Sequence, residues 1–345
     1  MSDESGTRAL SRRDLLRRAG VGVGGLALSG VAAQPIWARP KDAEAYDAAS
    51  TITIGFVSPL TGPAAGFGEP DPYVLGLARK AFATGLTVGG KHYAVKIVNK
   101  DSQSAPAQAA KVAGDLIHGT KVDLMLATST PEVVNPVADA CEAAGVPYIT
   151  TVVPWEAWYF GRGAKDPTKS PFRYGIHFCF GTANFAHAYT HLWPQVKTNK
   201  KVGVMWPNDA DGNAIREALG PLLEKAGYTI VDPGAYQDGT NDYSAQIAKF
   251  KAENCQIFNT FPIPPDFATF WRQAAQQGYT KIVKIAQIAK TGLFPSQVTS
   301  LGAIGNNLAS ACYWHPTFPY RSSLTGLTSK QLADGYIKHA KKQWN

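Results

Sequence analysis

Cysteine is scarce in this chain, charge is scarce, and long apolar runs are missing. Four cysteines among 345 residues are too few for a scaffold built on disulfides. No two of them are spaced C-x-x-C, so structural zinc and thioredoxin-like redox chemistry have no support. No run of eighteen apolar residues occurs, which excludes an ordinary membrane span. Only 17% of the residues are charged, yet 45% are hydrophobic, a balance that excludes wholesale disorder. Catalytic signatures are missing as well: there is no G-x-S-x-G elbow and no Walker A loop. His187 and His191 stand four residues apart, but Ala188 occupies the place of the zincin glutamate and no acidic third ligand lies in reach. No catalytic residue, metal or cofactor is therefore expected. What the chain does have is aromatic surface, with 8 Trp, 14 Tyr and 15 Phe.

Residues 1–38 read as an export leader. Ser11-Arg12-Arg13-Asp14-Leu15-Leu16 is a twin-arginine pattern, a mild apolar stretch from Ala19 to Ala33 follows, and Trp37-Ala38 offers a cleavage site. The expected destination is the periplasm. Gly20-Val21-Gly22-Val23-Gly24-Gly25 satisfies G-x-G-x-x-G, but it lies in the leader, without the strand and helix a dinucleotide site needs. Removing residues 1–38 lowers the formal charge from +8 to +6 over 307 residues. The remaining basic residues are scattered, so nucleic acid is not an expected partner. Export permits a disulfide, but Cys141, Cys179, Cys255 and Cys312 allow three two-bridge pairings and the sequence chooses none. Cys141 falls on an apolar helical face and reads as a core residue.

The mature chain alternates strands with helices. Thr51–Val57, Tyr93–Val98, Val122–Ala127 and Tyr148–Val153 read as strands, with amphipathic helices between them. Val202–Trp206, Thr229–Val231, Gln256–Phe261 and Ile282–Ala286 repeat the scheme. Gly145, Gly227 and Gly278 each follow a helix and precede a strand, the place for a left-handed residue. Such units build parallel sheets covered on both faces. Their number predicts an α/β fold of two doubly wound lobes with a hinged cleft. The first crossing between them is expected near Arg173–Cys179.

In open α/β sheets, ligands bind beyond the carboxyl ends of the strands. Those ends carry Thr128-Ser129-Thr130, Thr150-Thr151, Trp206-Pro207-Asn208-Asp209, Phe261 and the segment from Gln287 to Phe294. Ser129-Thr130-Pro131-Glu132 spells a capping box at a helix start, a place where hydroxyls and free N–H groups suit a carboxylate.

Several of these pieces carry a family resemblance. Ile54-Gly55-Phe56-Val57-Ser58-Pro59-Leu60-Thr61-Gly62, Phe67-Gly68-Glu69, Val137-Ala138-Asp139-Ala140, Ala144-Gly145-Val146-Pro147, Thr150-Thr151 and Asp242-Tyr243-Ser244-Ala245-Gln246-Ile247 occur in order along the mature chain. Together with the leader, they resemble the type I solute-binding proteins of ABC transporters, of the branched-chain amino acid-binding family. The resemblance implies a two-lobed monomeric receptor that closes on a small molecule and delivers it to an ABC permease, by binding and not catalysis. It places the ligand carboxylate at Ser129, Thr130, Thr150 and Thr151. The family's amino acid binders hold the ligand ammonium with an acid after a later strand. Here that segment, Ile285 to Phe294, contains no acid, and Lys290 stands near the place. An unpaired ammonium in a closed cleft is costly, so a carboxylate-bearing or neutral ligand is expected over a free α-amino acid. Trp155, Trp206 and Phe261 add aromatic walls, and the expected ligand is an aromatic or hydrophobic carboxylic acid. Binding of a branched-chain or other hydrophobic amino acid, a ligand sensor for a membrane receptor and a secreted α/β hydrolase are the competing readings. The family also implies three crossings between lobes. Two are visible, near Arg173–Cys179 and Tyr313–Tyr320, which imply lobes of 39–175 plus 318–345 and of 176–317, followed by a helix from Leu327 to Trp344. Further chain beyond it, or an incomplete lobe, is expected.

Overall fold

The computed structural model describes residues 50–261 and 264–344. The expected leader, residues 1–38, lies outside the described residues. The strands are β1 (Thr51–Ser58), β2 (Leu86–Val88), β3 (Lys91–Asp101), β4 (Leu124–Thr128), β5 (Tyr148–Thr151), β6 (Gly175–Phe178), β7 (Lys201–Met205), β8 (Thr229–Val231), β9 (Ile257–Thr260), β10 (Ile285–Ile288) and β11 (Leu308–Ser310). The helices are α1 (Ala65–Gly68), α2 (Asp71–Ala81), α3 (Pro106–Gly114), α4 (Pro131–Ala144), α5 (Trp155–Tyr159), α6 (Thr182–Leu192), α7 (Ala210–Lys225), α8 (Ser244–Ala252), α9 (Pro264–Gln276), α10 (Pro295–Thr299) and α11 (Ser329–Ala340).

The strands form two sheets, one per lobe. The first has the order β2-β3-β1-β4-β5-β6, parallel except for β2. The second is wholly parallel, β11-β10-β9-β7-β8. Around its first strand each sheet has the same order, β3-β1-β4-β5-β6 and β8-β7-β9-β10-β11. The chain therefore reverses direction across each sheet between β1 and β4, and between β7 and β9. Crevices for ligands open beyond the carboxyl ends of the strands at such points.

Strand composition follows from this layering. β9 and β10 are buried along their whole length, as strands covered by helices on both faces must be. The first lobe's core holds Val57, Met125, Val137 and Cys141, all fully buried. The second lobe has one core on each side of its sheet. Phe250, Phe258, Phe267 and Phe270 pack under α8 and α9, while Trp193, Trp206, Ile215 and Leu219 pack under α6 and α7. Each such side chain contributes roughly 1.5–3 kcal/mol by leaving water. Gly145 and Gly278 take φ of 72° and 76° where helix turns to strand, the left-handed conformation that costs glycine least.

The structure departs from the sequence expectations at three places. β6 pairs with β5 in the first sheet, so a lobe boundary at 175/176 cuts through a strand, and the crossing follows at Cys179–Gly181. The strand expected at Ile282–Ala286 runs instead from Ile285 to Ile288, because a 3-10 turn at Tyr279–Lys281 uses up the residues after Gly278. The final helix begins at Ser329, where Thr328 and Gln331 form a capping box. It packs on the first lobe, with the rings of Tyr73 and Tyr336 5.7 Å apart and Lys342 2.7 Å from Glu69.

Candidate functional site

The carboxyl ends of the two sheets face each other across a closed cleft. α4 of the first lobe touches α7 of the second, and Ala214 of α7 packs against the first lobe's core. Phe67 meets Phe294 edge to face at 4.9 Å. Between the lobes lies a cavity of about 50 Å³, several times the roughly 10–15 Å³ that one water needs.

Strand ends and crossings build its wall. Thr130 follows β4, Val152 follows β5, Asp211 follows β7, Phe261 follows β9 and Lys290 follows β10. The two crossings add Phe180 and Tyr313. The aromatic rings touch in series: Tyr313 lies 5.2 Å from Phe180, Phe180 lies 4.7 Å from Phe185, and Phe185 lies 5.1 Å from Phe261. One face of the cavity is thus a continuous aromatic wall.

Backbone strain concentrates on the first-lobe side. Ser129, Thr130 and Val152 take φ of 68°, 65° and 63°. A β-branched residue in that region is a costly outlier of the kind that clusters at binding sites. The capping box spelled by Ser129–Glu132 does not form. Thr130 is the N-cap of α4 and makes no side-chain cap bond, because its left-handed backbone does not present the hydroxyl to the first turn. Ser129 instead bonds Thr128 at 3.0 Å, and Thr128 accepts from Thr151 at 3.2 Å. In the first turn of α4 Pro131 has no N–H and Val133 donates to the Thr130 carbonyl at 3.2 Å, which leaves the Glu132 N–H at a helix start beside the cavity, where the dipole favours an anion.

The structure brings together only part of the expected site. Thr130, Phe261 and Lys290 line the cavity. Ser129 and Thr151 do not line the cavity; their hydroxyls meet at Thr128. Thr150 is fully buried and bonded to His177 at 2.8 Å, so it is not in the wall. Trp155 packs on Phe160, 5.6 Å between rings, and against Gly181 at the crossing. Trp206 is 1% exposed in the second lobe's core, and its indole N–H donates to Asn259 Oδ1 at 3.0 Å. Its place at a strand end suggested the cleft, but the side chain turns inward.

Lys290 is not a free cation. Its Nζ lies 2.8 Å from Asp211 Oδ2 and 3.6 Å from Asp209 Oδ2. Burial alone would pull the ammonium down, but Asp211, Asp209 and Glu132 outweigh it and hold Lys290 above its ordinary value. The segment from Ile285 to Phe294 carries no acid, but the inference that the cleft has none to meet an ammonium does not follow. The acids come from the β7 end and neighbouring loops, not from the β10 end. Asp211 is pushed up to about 6 by burial, partly offset by Lys290 and reinforced by Asp209 and Glu132. Asp238 rises to about 6 through desolvation and the charges of Asp209 and Asp266, and Asp266 rises too, through burial. Four carboxylates, Asp211, Asp209, Glu132 and Asp238, feel the one ammonium.

This predicts an unusual acid response. Asp71, on α2, is pushed by burial from 3.8 to about 6. A carboxyl whose native pKa exceeds its unfolded value costs stability above the native pKa, and that cost is relieved as pH falls toward the unfolded value. Asp71 alone stabilises the fold by about 1 kcal/mol on going from pH 7.5 to pH 5, and Asp211, Asp238 and Asp266 act in the same direction. His177, lowered by burial, opposes them below pH 6.5. The expected result is a melting midpoint that rises by a few degrees between pH 7.5 and pH 5. A midpoint that falls across this window contradicts the assignment.

Comparison with known proteins agrees with this architecture. The family model described as periplasmic binding protein matches residues 51–343. The Leu/Ile/Val-binding protein homolog 3 of Brucella melitensis is 25% identical over 215 residues, 61% of this chain and 54% of that protein. The chain thus spans about half the length of this curated relative. The isoleucine complex of the branched-chain amino acid transporter substrate-binding protein from Streptococcus pneumoniae is 20% identical with a TM-score of 0.66, covering 85% of this chain and 78% of that one. A solute-binding protein from R. palustris in complex with 4-hydroxybenzoate is 20% identical with a TM-score of 0.65, covering 83% and 78%.

Proposed function

The chain belongs to the periplasmic binding protein family, and from that premise we propose that it is an exported receptor whose two lobes close on a small carboxylic acid with an aromatic or branched apolar body. The family is one of solute-binding proteins, so the role is capture and not turnover. In this reading the twin-arginine leader delivers the folded chain to the periplasm, and the monomeric closed form presents the ligand to an ABC permease.

The observation that carries the ligand class is the wall formed by Tyr313, Phe180, Phe185 and Phe261. Apolar walls with a few placed polar groups suit a flat or branched apolar body. The ligand carboxylate is assigned to the first turn of α4 beside Thr130, not to Lys290, which Asp211 and Asp209 neutralise. Fold relatives hold 4-hydroxybenzoate in one case and isoleucine in another, and both ligands combine a carboxylate with an apolar body. The acids of the second lobe favour a second reading, a hydrophobic α-amino acid whose ammonium meets them.

Calorimetric titration of the purified protein with benzoate, 4-hydroxybenzoate, 3-phenylpropionate, phenylalanine and leucine tests this. Saturable binding of at least one aromatic acid is expected. Tight leucine binding with no response to any aromatic acid would sink the first reading in favour of the second.

A further inference from the structure

Resting on the reading of the cleft as an acid-binding pocket, we propose that Asp211 selects ligands that carry a hydrogen-bond donor, a hydroxyl or an ammonium, in addition to their carboxylate.

Asp211 belongs to the cavity wall and is 3% exposed. One of its oxygens, Oδ2, is held by Lys290 at 2.8 Å. The other, Oδ1, is buried and has no hydrogen-bond partner among the described residues. An ionised carboxylate accepts at both oxygens, so half the capacity of this wall residue stands unused. Among the described residues of that wall, Asp211 is the only carboxylate. Lys290, also in the wall, is committed to Asp211 and Asp209. The Thr130 hydroxyl lies on the first-lobe side, where the ligand carboxylate is assigned. The rest of the wall is mostly aromatic and apolar and offers Oδ1 no donor.

A ligand with an apolar body alone would seal Oδ1 away when the lobes close, and a buried acceptor without a donor is penalised. A ligand that brings a donor removes the penalty. Sites built in this way reject analogues that lack the group far more strongly than apolar pockets reject a missing methylene.

Two ligand pairs isolate the donor: benzoate against 4-hydroxybenzoate for a hydroxyl, and 3-phenylpropionate against phenylalanine for an ammonium. In the unmodified protein, one donor-bearing member is expected to bind at least about 100-fold tighter than its partner. The pair that shows the ratio identifies the donor. In Asp211→Asn the same ratio is expected to shrink to about tenfold or less. If that variant does not fold, the ratios in the unmodified protein decide alone. Equal affinities within both pairs overturn the role of Asp211 while leaving acid binding intact. Absence of binding by all four compounds overturns the acid-binding reading itself.

Discussion

Lys290→Met is expected to lower the unfolding free energy by about 3–5 kcal/mol at pH 7.5, the cost of leaving buried charge without its partner. Lys290 is 8% exposed and Asp211 is 3% exposed, so bulk water screens little of the charge left behind. Asp209 loses the same cation. Three observations together identify the cause. Denaturant unfolding should show a lowered midpoint with an unchanged slope, the mark of lost stability without a change in exposed area. The deficit should shrink toward pH 5, because Asp211 protonates more readily without Lys290. Adding Asp211→Asn should recover at least about half of the loss, since removing both members of a buried pair costs far less than removing one. A single variant within about 1 kcal/mol of the unmodified protein would show that the cluster is solvated and not a buried ion pair.

The parts of this fold legible in sequence are those where local pattern and tertiary environment agree. β7 reads as a buried strand because Val202, Val204 and Met205 are all buried. Cys141 reads as core because α4 repeats its apolar face through Val134, Val137 and Ala138. β6 does not read as a strand, because its side chains break the usual rule. It is an edge strand whose alternation is inverted: Ile176 and Phe178 are 65% and 77% exposed, while His177 between them is half-buried and bonded to Thr150.

At the site, strand-end reasoning finds Thr130, Phe261 and Lys290 because each follows a central strand directly. It cannot find Phe180 and Tyr313, which reach the cavity from the crossings and are placed by the hinge rather than by a sheet. Asp211 is hidden for another reason. It is the second residue of α7, where an acid is ordinary because it complements the helix dipole, and only its burial against Lys290 distinguishes it. Trp206 misleads because a residue just past a strand can turn to either side. Its partner Asn259 lies on β9, fifty-three positions away, and no local signal reports that bond.

Gly212→Ala is expected to remove about 3 kcal/mol of stability and to weaken ligand binding at least tenfold wherever the chain still folds. Gly212 is the third residue of α7. Its N–H donates to Asp209 Oδ1 at 2.6 Å, which fixes the start of the helix and the loop that carries Asp209 and Asp211. A methyl group there would lie 2.1 Å from the Pro207 carbonyl oxygen and 2.7 Å from the Pro207 nitrogen. Both are backbone atoms, so no side chain can rotate away and the loop must move. That movement displaces Asp211 from Lys290 and from the cavity wall, linking a stability loss to a binding loss. Gly220→Ala provides the contrast in the same helix. Its methyl would meet only the Trp206 ring at 3.6 Å, an ordinary contact. Alanine in a helix interior is favoured over glycine by about 1 kcal/mol. Pro221 follows, and its ring crowds a Cβ on the helical residue before it, which offsets that gain, so Gly220→Ala should leave binding unchanged and stability within about 1 kcal/mol. If denaturant unfolding and calorimetry show the two substitutions behaving alike, then the close approach of α7 to Pro207 does not set the geometry of the cleft.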